Sequence, residues 1–125
     1  MTIGVIVEGV SDRARIHAID ESIRCFVLFG TPFGGKLRRI IDGALAEVDK
    51  LYIMTDPDEA GDRVAEAIMR DYPHIPRVQL DPTKCRVQRW SRHRYGDPIF
   101  YKYGVEYASV EYLTELLRDI KEGKK

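Results

Sequence analysis

Short apolar runs alternate with longer amphipathic stretches over the first eighty residues. Three runs have the length and the β-branched, apolar content of strands, at 2–7, 24–29 and 50–55. Between and after them, apolar residues recur every three or four positions, which predicts helices at about 36–49 and 59–72. A first helix, capped by Ser11 or Asp12 and ending near Ser22, and a short strand at 77–80 complete this part.

Strands that alternate with helices of this length predict a parallel sheet. The first run is apolar at nearly every position, which is typical of a strand buried on both faces. Crossover connections then place helices on both faces of the sheet. We therefore predict an α/β protein with a Rossmann-like parallel sheet, as a single domain over 1–125. Its parts are a core at 1–80, a basic and aromatic segment at 81–108, and a C-terminal helix at 109–121.

Polar features follow each of the first three predicted strands. Glu8 and Gly9 follow the first strand, a glycine-rich loop beginning at Gly30 follows the second, and Asp56 and Asp58 follow the third. Ligands of open parallel sheets bind at the carboxyl ends of the strands. We therefore expect these features to lie along one edge of the sheet.

The two aspartates have the pattern of a metal site. Pro57 favours extended geometry at Asp56, and side chains two apart in an extended segment project to the same side, so Asp56 and Asp58 can point at one location. Crowded carboxylates are kept ionised by a divalent cation, and oxygen ligands suit Mg²⁺. Gly61 allows another backbone to come close. In the alternative interpretation, Asp58 only caps the helix that follows it.

The loop after the second strand nearly matches a phosphate-binding P-loop. Gly30, Gly35 and Lys36 have the right spacing, but Leu37 stands where that motif needs a Ser or Thr hydroxyl for Mg²⁺. The backbone amides of the loop could still hold an anion. A flexible connection between strand and helix is the other interpretation.

Positive charge is concentrated in one segment, although the 20 basic and 20 acidic side chains of the chain cancel. The basic residues between Thr83 and Tyr103 are Lys84, Arg86, Arg89, Arg92, Arg94 and Lys102, opposed by Asp97 alone. Aromatic residues are interleaved with them. This mixture favours contacts with nucleic-acid phosphates and stacking on bases. The ordinary alternative is a solvated loop with a few aromatic side chains folded onto the core.

The cysteines and the N-terminus indicate a cytoplasmic protein. Cys25 and Cys85 are far apart, lack a Cys-x-x-Cys pattern and form no disulfide framework or zinc site. The first residues predict a strand, with no signal peptide and no membrane span. None of the three histidines has metal-ligand spacing.

Two blocks of the sequence resemble the signature of the Toprim domain, which topoisomerases, primases and several nucleases share. They are Val5-Ile6-Val7-Glu8-Gly9 and Thr55-Asp56-Pro57-Asp58-Glu59-Ala60-Gly61, and the resemblance covers about 1–80. Two segments are most similar to the ribonuclease M-five family, which matures 5S ribosomal RNA. They are Thr55 to Asp58 and Gly104-Val105-Glu106-Tyr107-Ala108-Ser109.

The resemblance implies residue roles and a cofactor. Glu8 would be the general acid or base, and Asp56 and Asp58 would hold one or two Mg²⁺ ions, with Glu8 sharing a metal. The implied partner is structured RNA, such as a 5S rRNA precursor, and no nucleotide cofactor is expected. Phosphates would be held by Lys36, Lys84, Arg86, Arg89, Arg92 and Arg94.

The sequence thus predicts a magnesium-dependent endoribonuclease, and two alternatives stay open. One is a Toprim module that binds RNA or a protein partner without cutting. It is favoured because the ribonuclease M-five family usually continues into a further C-terminal region, which a helper protein could replace. The other is a small nucleotide-binding protein that uses the loop from Gly30 to Lys36.

Overall fold

The computed structural model describes residues 1–30, 33–92, 96 and 98–124. A parallel sheet has the strand order β2-β1-β3, formed by β1 (Ile3–Val7), β2 (Arg24–Val27) and β3 (Lys50–Ile53). An antiparallel pair is formed by β4 (Arg86–Trp90) and β5 (Ile99–Tyr103). The helices are α1 (Val10–Ile19), α2 (Gly35–Glu47), α3 (Glu59–Asp71) and α4 (Val110–Lys121). None of them is long and apolar enough, in the part described, to cross a membrane.

The central strand β1 is buried on both faces. Its alternate residues Val5 and Val7 belong to a core with α1 and α4, whereas Ile6 belongs to a second core with α2 and α3. Adjacent residues of a strand point to opposite faces, so the apolar run of β1 supplies both cores. The sheet is therefore covered by helices on both sides, which confirms the predicted α/β architecture.

The elements differ from the predicted ones mainly at their ends. The first helix begins at Val10 with Gly9 as its N-cap, so the predicted cap at Ser11 or Asp12 is wrong. Asp12 lies one turn inside and accepts a hydrogen bond from the Gly9 N–H. Helices α2 and α3 match their predicted spans to within two residues, and Ser109 caps α4 by accepting from the Tyr112 N–H.

The strand predicted at 77–80 is reduced to a single parallel bridge. Arg77 pairs with Ile53 at the edge of the sheet, and the Val78 N–H donates to the Ile53 carbonyl at 2.8 Å. Pro76 has no N–H to donate, although its carbonyl accepts from the Ile53 N–H. The prolines at positions 76 and 82 therefore limit any further strand of the parallel sheet to a very short stretch between them.

The antiparallel ribbon of β4 and β5 was not predicted. Register places Arg86 opposite Tyr103 and Trp90 opposite Ile99, and the Gly104 N–H donates to the Cys85 carbonyl at the base of the ribbon. Because most side chains of β4 and β5 are exposed, these strands lack the apolar alternation that reveals a half-buried strand. The alternative of a loop is therefore wrong for 86–90 and 99–103, although most side chains there are exposed, as that alternative expects.

The core face of α4 provides a test of the fold. Leu113 is fully buried between this helix and the sheet, whereas Val110 on the same helix is 51% exposed. We expect Leu113→Ala to lower the free energy of unfolding by about 2–5 kcal/mol, because it leaves a cavity. The control Val110→Ala should change it by less than about 0.5 kcal/mol. Equal effects in denaturant titrations would contradict this packing of α4.

Candidate functional site

The Glu8 and Asp56 carboxyl groups meet at the carboxyl edge of the parallel sheet. Glu8 directly follows β1, and Asp56 lies just beyond β3, which pairs with β1. The Glu8 and Asp56 side chains lie next to each other, close enough for each to shift the pKa of the other. Its Oε1 atom is buried and has no hydrogen-bond partner among the described residues. An acceptor atom is therefore available at the point where the two acids meet.

Burial makes both groups of this carboxyl pair harder to ionise. It is the largest cause that raises the pKa of Glu8, and the charge of Asp58 adds to it, while the contacts with Asp56 oppose the rise. Burial, followed by the charge of Glu8, raises the pKa of Asp56 to about 7. Without a cation, the pair therefore holds a proton near neutral pH.

Asp12, which the sequence predicts only as a possible helix cap, is a further acid at this site. It is only 6% exposed, and its Oδ2 accepts a hydrogen bond from the Gly9 N–H at 3.2 Å. Burial, followed by the charge of Asp56, raises the pKa of Asp12 to about 6. Its place in the first turn of the helix directly after Glu8 was the available sequence indication.

Asp58 caps α3, which agrees with the alternative interpretation of this residue. Its Oδ1 accepts a hydrogen bond from the Gly61 N–H at 2.7 Å. Its charge nevertheless raises the pKa of both Glu8 and Asp56, so it contributes to the same negative field. A role for Asp58 as a metal ligand stays a prediction.

The loop from Asp56 to Gly61 is tightly closed. A Cβ atom on Gly61 would lie 2.0 Å from the Asp56 carbonyl oxygen, a distance that no side chain can occupy. The buried Thr55 hydroxyl donates to the Gly61 carbonyl at 2.9 Å. Only glycine at position 61 therefore lets α3 start this close to the end of β3.

Arg77 holds the same loop from outside. Its Nη2 donates to the Asp56 carbonyl at 3.1 Å, and its Nη1 donates to Asp62 Oδ1 at 2.7 Å. The side chain is largely buried. The sequence predicts no role for it, because only the fold brings position 77 next to position 56. Arg77 thus fixes the backbone that carries Asp56.

The segment after β5 orients the Asp56 side chain. The Val105 N–H donates to Asp56 Oδ1 at 3.1 Å. Two atoms of the Arg15 guanidinium, Nε and Nη2, donate to the Ala108 carbonyl at 3.2 and 2.6 Å, which ties this segment to α1. The segment from Gly104 to Ser109 resembles a family motif, but the sequence does not predict its contact with Asp56.

The donor atoms at this site are of the kind that a hard divalent cation prefers. Carboxylate oxygens suit Mg²⁺, and the unpartnered Glu8 Oε1 beside Asp56 is a vacant acceptor in a negatively charged environment. Within the described ranges, no group of three or more His, Cys, Asp or Glu side chains is arranged so that it could hold a metal ion. The site therefore consists of the adjacent carboxyl groups of Glu8 and Asp56, while the Asp58 side chain caps α3.

Four of the predicted phosphate-binding residues lie on the ribbon or next to it in the sequence. All four are exposed, and each positive group lies over an aromatic ring. The pairs and their distances to the ring centroid are Lys84 with Tyr112 at 5.4 Å, Arg86 with Tyr101 at 4.1 Å, Arg89 with Tyr107 at 5.8 Å, and Arg92 with Trp90 at 5.7 Å. Arg94 lies outside the described residues.

The glycine-rich loop is only partly described, since Thr31 and Pro32 lie outside the described residues. Gly30 has a positive φ of 72°, and Lys36 is exposed in the first turn of α2. Phe33, Gly34 and Gly35 line a cavity of about 560 Å³ together with residues of α3. Asp58 lines a different, open cavity, so the glycine-rich loop and Asp58 do not share one cavity. An anion-binding role of the glycine-rich loop stays a prediction.

The fold and the carboxyl pair define an α/β protein with an acidic site at the carboxyl edge of its parallel sheet. The model of the Toprim domain family matches residues 4–87, which is more than half of the chain. The chain therefore belongs to the Toprim domain family. This membership supports a nucleic-acid-related, metal-dependent function, and Toprim domains typically bind Mg²⁺.

Two individual proteins are similar to this chain. The uncharacterized protein YusF of Bacillus subtilis (strain 168) is 27% identical over 96 residues, which are 76% of this chain and 64% of that protein. The chain thus spans less than two thirds of that relative's length. The structure of a small TOPRIM domain protein from Bacillus stearothermophilus superposes with a TM-score of 0.70, covering 97% of this chain and 90% of the other. At 20% identity, this similarity shows the fold.

The close approach at Gly61 can be tested with one methyl group. We expect Gly61→Ala to lower the free energy of unfolding by about 1–3 kcal/mol, because the loop must open to admit the methyl group. Gly43 lies in α2, and a Cβ there would meet no atom within 4 Å. The control Gly43→Ala should raise stability by about 0.4–1 kcal/mol. Denaturant titrations that give both variants the same sign would contradict the closed loop.

The buried charge of Asp12 predicts an unusual pH dependence of stability. The folded-state pKa of about 6 exceeds the ordinary value of 3.8, so the contribution of this group is fully present below about pH 4 and is lost as pH rises through 6. Asp12→Asn keeps an acceptor for the Gly9 N–H but removes the charge. In metal-free buffer at about pH 7, it should raise the free energy of unfolding by about 1–2 kcal/mol, after allowance for partial solvent screening.

The same measurement at about pH 4 should show almost no gain for Asp12→Asn, since the wild-type group is then protonated. Glu115→Gln, on the exposed face of α4, is the matched control and should have little effect at either pH. Destabilisation by Asp12→Asn at neutral pH would show that the Asp12 charge is compensated.

Proposed function

We propose that this protein is a magnesium-dependent Toprim nuclease that cleaves phosphodiester bonds of structured RNA, in the manner of the ribonuclease M-five family. The observation that carries this proposal is the contact between Glu8 and Asp56, with Glu8 Oε1 buried and unpartnered beside it. An acceptor in this position can take a proton from a water molecule next to a bound phosphate. The RNA substrate class rests on the resemblance of the blocks at 55–58 and 104–109 to that family.

The residues of the site divide the work between proton transfer and positioning. Glu8 would accept and release a proton at Oε1, which is buried and has no hydrogen-bond partner among the described residues. Asp56, with its orientation fixed by the Val105 N–H and its backbone fixed by Arg77, would hold Mg²⁺ together with Glu8 and Asp58. When bound, Mg²⁺ would offset the negative charge that develops on the phosphate group.

The positive residues would hold the RNA backbone. Arg86 and Arg89 are exposed on the ribbon and Arg92 just beyond the end of β4, and the ribbon continues directly into the segment that contacts Asp56. A guanidinium that stacks on a ring keeps its N–H edges available for phosphate oxygens. Lys84 would contribute from the turn that precedes β4, and we propose Lys36 and Arg94 as further phosphate contacts.

The catalytic role of Glu8 is tested by cleavage of a 5S rRNA precursor in the presence of Mg²⁺. Wild type should cut the precursor, and Glu8→Gln should reduce the rate by at least about 100-fold, because it keeps the shape but removes the proton acceptor. Glu66→Gln, which changes an exposed acid on α3, should retain the wild-type rate. Equal rates for wild type and Glu8→Gln would remove Glu8 from the mechanism.

A second candidate is a Toprim module that binds RNA without cutting it. It is favoured by the finding that no group of three potential ligands is arranged to hold a metal among the described residues. This candidate predicts that Asp56→Asn binds RNA as well as wild type does, with a steep dependence on salt, and that no metal supports cleavage. Loss of cleavage but not of binding in Asp56→Asn would instead favour the nuclease.

A further inference from the structure

One face of the ribbon exposes large flat side chains. The strand register and the alternation of side chains place Arg86, Gln88 and Trp90 of β4 on the same face as Tyr103, Tyr101 and Ile99 of β5. Trp90, Ile99 and Tyr101 are 59%, 45% and 41% exposed. We call this set of six residues the aromatic face. Its rings are accessible to a ligand rather than packed into the core.

The surroundings of the aromatic face are positively charged. Of the three basic residues of β4 and β5, Arg86 lies on the aromatic face, whereas Arg89 and Lys102 lie on the opposite face of the ribbon. The Arg86 guanidinium lies 4.1 Å from the Tyr101 ring centroid, and Arg92 lies 5.7 Å from that of Trp90. A ligand that fits this face is therefore anionic and also has flat apolar rings to stack.

The aromatic face is continuous with the acidic site. An open cavity of about 460 Å³ is lined by Asp58, Tyr101, Lys102, Tyr103, Glu106 and Tyr107. Gly104, at the end of β5, lies against Asp56, whose Oδ1 would be 3.5 Å from a Cβ at that position. Strand β5 therefore leads away from the acids over its own length of about 13 Å, which is four steps of roughly 3.3 Å. One strand of nucleic acid can lie along this path.

We propose that the aromatic face binds unpaired bases of a single-stranded segment next to the phosphate that the acidic site would engage. This inference deepens the proposed function, on which its link to cleavage rests, by naming the form of the substrate. Bases of a duplex are stacked on one another, whereas unpaired bases can turn out and stack on exposed aromatic side chains. Cations beside the rings then contact the phosphates of the same strand.

Trp90 is the only tryptophan of the chain, so its fluorescence reports on this face alone. Full-length protein in EDTA is titrated with a single-stranded RNA and with a hairpin duplex that has the same number of phosphates. We expect the single strand to quench Trp90 emission and to bind at least about ten-fold more tightly than the duplex. A single-stranded DNA of the same sequence shows whether the ribose hydroxyl contributes.

Leucine substitutions separate stacking from apolar docking, because leucine keeps the apolar surface but has no ring. Trp90→Leu and Tyr101→Leu should each weaken binding of a labelled single strand by roughly ten-fold to a hundred-fold, measured by anisotropy. Phe33→Leu removes an exposed ring outside the ribbon and should have no effect.

The inference is overturned if the duplex binds as tightly as the single strand, or if the leucine variants bind as wild type does. Concentration-dependent self-association that is lost in Trp90→Leu, with no quenching by nucleic acid, would also overturn it and would assign the face to a protein contact. These binding experiments contain no metal. Their outcome therefore does not depend on whether the protein cleaves RNA in the Glu8 test.

Discussion

The pairing of β1 with β3 is the constraint on which the site depends. Ile6 pairs with Ile53 in parallel register, and the Met54 N–H donates to the Ile6 carbonyl at 2.8 Å. Glu8 and Asp56 follow these positions by two and three residues, so the register alone brings two distant acids together. A slip of one residue would turn one of these side chains to the opposite face of the sheet. The pairing of β1 with β3 thus determines the geometry of the site.

This arrangement opposes the stability of the metal-free protein at neutral pH. Burial raises the pKa of Glu8, Asp12 and Asp56, so their ionised forms are disfavoured in the folded state. The apolar cores on the two faces of the sheet offset this cost, and the contacts of Arg77 and Val105 hold Asp56 in place. Neighbouring buried acids with raised pKa values are typical of sites that bind a cation or transfer a proton.

The part of the fold that buried apolar residues determine could be predicted from the sequence. The run from Ile3 to Val7 and the periodic pattern of α2 indicated a parallel sheet covered by helices. The ribbon could not be predicted from the sequence, since the side chains of β4 and β5 are mostly exposed and a loop separates the two strands. The strand predicted after Pro76 was reduced to one bridge, because proline cannot donate to the ladder.

The site could be predicted only where its residues follow strands. Glu8, Asp56 and Asp58 were named because strand ends gather at one edge, and the structure brings the first two into contact. Asp12, Arg77 and Val105 were missed, since their parts in the site come from helix packing, an edge bridge and a backbone N–H that no motif reveals. The roles of the named residues in catalysis and metal binding stay predictions.

The central proposal is that Glu8 and Asp56, together with Asp58, bind a divalent cation. The most direct measurement is the broadening of backbone amide signals in NMR spectra by substoichiometric Mn²⁺, which can occupy Mg²⁺ sites. The signals of Gly9, Asp56 and Val105 should broaden first, excess Mg²⁺ should reverse the effect, and Asp56→Asn should abolish it. Broadening that begins elsewhere on the molecule, or that persists unchanged in Asp56→Asn, would contradict the account.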